Sequence, residues 1–229
     1  MLKGVNTVLP DWEQVHRLVP SHFPPIDLFE NVSSSEDLDI IFAIESLTNN
    51  RLKDDVGNLA LVPIKERISG VGTTPIMAAF THISLLNPTR FTDNTQYGVY
   101  YGANNLETAF AETIHHREQF LSATHEPDTD ITMRDYINKV ALELADVTAE
   151  SYNSLYMEDY SCPQAFALAL RKSGSNGLLY NSVRSKGGLC VAIFKPKAVT
   201  IPIQGSHYTY KWCGKKQKIT HIIKLELVK

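Results

Sequence analysis

The residue types able to do chemistry are a carboxylate at Glu112, a hydroxyl at Ser182, phenols at Tyr100, Tyr101 and Tyr180, and loop arginines at Arg67 and Arg90. Each also has an ordinary reading. The tyrosines serve as core or edge aromatics, Ser182 as the end of a strand, and Arg90 as a surface charge. Glu112 reads as a helix-flank acid beside Arg117 or His116. Two Glu-x-x-His pairs, Glu13 with His16 and Glu112 with His115, raise the question of a metal. Di-iron carboxylate proteins use that pair twice, with further glutamates, on four long helices. Here the first copy lies in a Pro-rich stretch and no such bundle is encoded, so no metal is assigned. His115 and His116 read as a solvated or capping pair. The chain has no GxGxxG, P-loop, GxSxG or HExxH motif.

The elements that must position these groups are unevenly signalled. The best defined is a helix after the Tyr-rich strand Tyr97–Ala103. Asn104 is its expected cap, with Glu107 at capping-box spacing. Leu106, Ala109, Phe110, Thr113, Ile114, Arg117, Phe120 and Leu121 fall on one stripe. Glu112 projects roughly 135° from the middle of that stripe at ~100° per residue. It therefore sits at a flank, where a carboxylate can edge a cleft. A second helix is expected over Gln164–Lys172, opened by Pro163 and followed by Gly174. Strands are expected at Leu59–Val62, Gly177–Val183, Leu189–Phe194 and Ile219–Val228, with Arg184–Gly188 as a hairpin connection. An apolar segment runs from Ile76 to His82. Residues 128–160 are poorly signalled.

That hairpin demands antiparallel pairing, so a mixed, mainly antiparallel α+β sheet with flanking helices fits better than a doubly wound parallel sheet. Residues 1–60 read as a Pro-rich and helical extension packed on the core, with a helix opening at Ser35. Residues 61–229 read as the catalytic domain.

A net charge of −3 and short basic clusters argue against a broad nucleic-acid footprint. Three cysteines without close spacing make neither a disulfide framework nor a zinc site. The first 20 residues hold no signal-like apolar run, and no stretch approaches the ~20 apolar residues of a membrane helix. A cytoplasmic protein is expected.

Taken together, the segments Arg90-Phe91, Tyr97–Ala103, Leu106–Glu112, Gly177–Arg184, Gly187-Gly188 and Cys190–Phe194 resemble the core of the RES-domain toxins, over roughly Val62 to Gln204. The Pro24-Pro25 and Thr48–Leu52 segments resemble the extension of longer members. The resemblance implies an ADP-ribosyltransferase-like fold and the toxin half of a bacterial toxin–antitoxin pair. It implies depletion of NAD+ as substrate, with no further cofactor, and an Xre-type helix-turn-helix antitoxin as partner.

Glu112 matches the family's Glu and would stabilise the oxocarbenium-like charge that develops as nicotinamide leaves ribose. Ser182 matches its Ser and would bond the carboxamide or place Glu112. Arg90 and Arg67 compete to be its Arg, with Arg90 preferred, and both are expected to bind the pyrophosphate. Tyr101, Tyr100 and Tyr180 are expected to bind substrate. Two departures fall at the arginines: Asn87-Pro88-Thr89 precedes Arg90 where many members place glycines, and Glu66 precedes Arg67 where an aromatic is often adjacent. Water, phosphate or a macromolecule remain as acceptors. Transfer of ADP-ribose and a non-catalytic binding module are the alternatives. A homodimer is left open.

Overall fold

The computed structural model describes residues 4–20, 57–83 and 88–226. The helix expected from Ser35 and the Pro24-Pro25 and Thr48–Leu52 segments lie outside these residues. The strands are β1 (Thr7–Val8), β2 (Val15–Pro20), β3 (Tyr100–Ala103), β4 (Thr129–Asn138), β5 (Leu144–Asp146), β6 (Gly177–Asn181), β7 (Leu189–Ile193), β8 (Ile203–Cys213) and β9 (Lys218–Leu225). They form a sheet in the order β1-β5-β6-β7-β3-β2-β4-β8-β9. Only the β5–β6 pair is parallel. The helices are α1 (Thr74–Thr81), α2 (Leu106–Ala123) and α3 (Ser161–Lys172). The class is α+β with a mixed, mainly antiparallel sheet, as the hairpin required. Among the described residues, no helix is long and apolar enough to cross a membrane.

Strand alternation divides the core into two layers. On one face Val15, Tyr100, Leu144, Val191 and Ile193 pack against Ile76, Met77 and Phe80 of α1. On the other, Met133, Leu178, Tyr180, Cys190, Ala192 and Tyr210 pack with Ala109 of α2 and with Ala167 and Leu170 of α3. At its middle the sheet is nearly divided. β2 and β3 share one residue pair, His16 with Ala103, whereas β2 pairs with β4 over six residues.

Residues 15–20, inside the stretch expected as an extension, form an interior strand between β3 and β4. Val15 and Leu18 are buried there. Pro20 is tolerated because it ends the strand. Leu59–Leu61, expected as strand, is a 3-10 turn in which the Asn58 side chain accepts from the Ala60 N–H. Residues 128–160 hold the ten-residue β4. Its alternation was masked by polar residues at inward positions, among them Asp135, which is 2.8 Å from His16 Nδ1.

Candidate active site

The cap of α2 is Asn105, not Asn104: its side chain accepts from the Thr108 N–H at 2.8 Å. Asn104 instead bonds β7, its N–H donating to the Leu189 carbonyl and its side-chain oxygen accepting from the Leu189 N–H. This pins the start of α2 to the sheet and sets the direction in which the helix leaves it. Glu112 follows in the second turn.

The loop between β6 and β7 comes to meet it. Ser182 donates its N–H to the Gly188 carbonyl, and its Oγ accepts from the N–H groups of Arg184 (3.1 Å) and Ser185 (2.9 Å). With both acceptor positions of the hydroxyl used, its one proton is directed elsewhere. It points at Glu112 Oε1, 2.6 Å away. Among the described residues this is the one hydrogen bond of the Glu112 carboxylate. Gly188 allows the approach, because a Cβ there would come within 2.4 Å of Thr108 Oγ1. Cys190 and Tyr180 are buried beneath this pair, and burial followed by the nearby Glu112 charge pushes the Cys190 thiol up. Burial, then Cys190 and Glu112, raise the Tyr180 phenol as well. A thiol held protonated is not a nucleophile here.

Glu112 lines a cleft of ≈ 690 Å³, within the roughly 300–1,000 Å³ range of small-molecule sites. Tyr101, Tyr180 and Arg90 line it too. The Tyr101 hydroxyl bonds Thr89 Oγ1 at 2.8 Å and accepts from the Phe91 N–H at 3.2 Å. Its pKa is pushed up to about 12, first by burial. Arg90 donates to the carbonyls of Leu155 and Met157 and lies 4.9 Å from the centre of the Tyr160 ring.

Two expected residues are not brought to the cleft. Tyr100 faces the opposite layer, fully buried, with its hydroxyl accepting from Asn138 Nδ2. The period-2 alternation of β3 makes this unavoidable once Tyr101 faces the cleft. Arg67 is buried at the 3-10 turn, where its Nε donates to Val62 and another guanidinium nitrogen to Leu59. It ties that turn together and does not line the cleft.

The structure adds four cleft groups that the sequence reading passed over. Arg17 of β2 is half-buried at the division of the sheet, donating to the Tyr101 carbonyl at 3.0 Å with its guanidinium over the Tyr100 ring, 4.6 Å from the ring centre, toward the opposite layer. Its Nε is buried without a partner. Arg117 and Arg184 line the cleft without a hydrogen bond or ion pair among the described residues. Burial holds the Arg117 pKa below its ordinary value. His116 lines the cleft from its outer, solvent-facing side, and its pKa is lowered by the protein around it and then by Arg184, Arg117 and Arg90. The solvated reading of His116 holds, and its exposed side chain also edges the cleft. Helical spacing from Glu112 could have found His116 at i+4, and Arg184 lies two residues from Ser182. No local signal marks Arg17, whose position depends on which strands β2 joins. Among the described residues, no group of three or more His, Cys, Asp or Glu could hold a metal ion.

An uncharacterized protein, y4oC, of Sinorhizobium fredii (strain NBRC 101917 / NGR234) is 27% identical over 208 residues, covering 88% of this chain and 84% of the relative. The crystal structure of the M. tuberculosis MbcT-MbcA toxin-antitoxin complex contains a chain with a TM-score of 0.40 and 12% identity, over 64% of this chain and 94% of that one. The RES domain matches residues 66–213, a span that includes Arg90, Tyr101, Glu112 and Ser182. With more than half of its 229 residues matched, the chain belongs to the RES domain family.

Proposed function

We propose that this protein is the toxin of a type II toxin–antitoxin pair and depletes NAD+ by cleaving the bond between nicotinamide and ribose. An Xre-type helix-turn-helix antitoxin would be its partner. One observation carries the reading: a carboxylate held by a single serine hydroxyl at 2.6 Å, in a cleft whose other charged side chains, among the described residues, are all arginines.

In this reading the C–N bond breaks and its electron pair leaves with the nicotinamide nitrogen, neutralising the pyridinium. Positive charge then develops at the anomeric carbon. Glu112 stabilises charge that exists mainly in the transition state, which raises kcat rather than affinity. Ser182 acts through Glu112, fixing its carboxylate. Arg184 and Arg90 bind the pyrophosphate as charge-assisted donors, and Tyr101 and Tyr180 present aromatic surface to nicotinamide or ribose. Water attacks the anomeric carbon and releases a proton, or phosphate attacks in its place.

Purified protein mixed with NAD+ should release nicotinamide, and Glu112→Ala should release it at least about 10²-fold more slowly, the magnitude typical of losing one preorganised electrostatic group. ADP-ribose, its phosphate or a labelled macromolecule among the products identifies the acceptor. Expression in bacteria should arrest growth and lower NAD+ for the wild type only. Undiminished NAD+, or equal loss with both proteins, would remove the proposal and favour a binding module.

A further inference from the structure

The cleft carries more positive charge than NAD+ can match. Among the described residues the guanidinium groups of Arg90, Arg117 and Arg184 line it, against one carboxylate, Glu112, while the Arg17 guanidinium lies over the Tyr100 ring at 4.6 Å, toward the opposite layer. On the reading above, the pyridinium lies by Glu112 and the pyrophosphate brings two negative charges. One guanidinium charge is then unmatched in a cleft whose walls are partly apolar, an arrangement that is unfavourable when empty and draws further anionic charge. A phosphate monoester carries about −1.5 to −2 at pH 7, which is enough to match it.

The geometry says where that group would sit. Glu112 and Phe120 both line the cleft from α2, eight residues apart, or about 12 Å at 1.5 Å per residue. Phe120 is 51% exposed at the far end and offers a flat apolar face. A dinucleotide with its reacting ribose at Glu112 would lie along this helix with its second base toward Phe120. Its second ribose then lies between the two, on the stretch that holds Arg117. The Arg117 guanidinium has no partner among the described residues, and burial already disfavours its charge, so an anion there relieves an existing penalty.

We infer that the cleft selects a dinucleotide bearing a third phosphate, the 2′-phosphate of NADP+, with Arg117 as the residue that reads it. This rests on the proposed function, and the bond broken is unchanged: the 2′-phosphate binds and takes no part in the chemistry.

Calorimetric titration of the Glu112→Gln protein, which turns substrate over at least about 10²-fold more slowly on this reading, compares NADP+ with NAD+ at one fixed ionic strength. NADP+ should bind about tenfold or more tightly, and adding Arg117→Gln should bring the ratio to about one. Circular dichroism confirms that the double variant is folded. Equal or weaker binding of NADP+, or a preference that survives Arg117→Gln, overturns the inference. Nicotinamide release by the wild type is followed in parallel with both dinucleotides. Cleavage of NAD+ without an NADP+ preference removes this inference alone. Preferential binding of NADP+ without cleavage of either removes the proposed function and leaves the subsite.

Discussion

At Ser182 three hydrogen bonds meet one oxygen, and their geometry separates two ways in which a serine could serve the site. The hydroxyl accepts from two backbone N–H groups and donates to Glu112. Its surroundings leave no spare proton for a substrate carboxamide, so of the two roles the resemblance implies, placing Glu112 is the one the hydrogen bonding favours. Hydrogen bonds to charged groups contribute about 1.5–3 kcal/mol. Ser182→Ala is therefore expected to lower kcat for nicotinamide release roughly 10- to 100-fold with little change in KM. Steady-state kinetics check this, and a raised KM with intact kcat would put Ser182 on the substrate instead. The arginines divide by the same accounting of partners. Arg90 and Arg17 are partly used by backbone carbonyls, whereas Arg117 and Arg184 have no such bonds.

Among the elements, the meeting of α2 with the loop after β6 decides the spacing of Glu112 and Ser182. Asn105 caps the helix, Asn104 bonds it to β7, and Thr108 Oγ1 donates to Ser185 Oγ at 3.3 Å. Gly188 lies under Thr108 with no room for a methyl group. Gly188→Ala should push the loop from the helix, reduce stability by about 1–3 kcal/mol as overpacking does, and lower kcat more than the loss of stability would explain. Urea unfolding together with kinetics on the folded fraction tests both parts. A variant with normal kcat would mean that the loop moves without carrying Ser182 away.

For the whole molecule, the single-pair join between β2 and β3 is where the sheet opens toward Arg17. His115, His116 and His207 all have lowered pKa values, with burial the leading cause in each. The unfolded chain takes up protons near the ordinary histidine pKa of about 6.5, whereas these side chains in the folded protein do so only at lower pH. More protons are then bound by the unfolded state in that window, and stability falls as the pH drops through it. Urea midpoints should accordingly decrease on acidification from neutral pH to just below about 6, and less so in a His115→Asn, His116→Asn double variant. A midpoint that rises over this range would contradict the assignment.

Local pattern in the sequence was enough for the α+β class, for α2 and α3, and for the β6–β7 hairpin, because helical stripes and turn residues depend on neighbours a few positions away. Glu112 and Ser182 stand out only through the family resemblance, and one helix and the hairpin bring them together. The apolar segment from Ile76 left its type open, and it is the helix α1. What needed the tertiary structure depends on distant pairing. Alternation puts Tyr100 and Tyr101 on opposite faces but does not say which face becomes the cleft. Arg67 and Arg90 are alike in sequence, and only the carbonyls around each separate a structural guanidinium from one on the cleft wall. Arg17 reaches the cleft because β2 crosses to the centre of the sheet, 84 residues before the Tyr101 carbonyl it bonds. No short-range signal encodes that contact, since it exists only once strands far apart in the chain have paired.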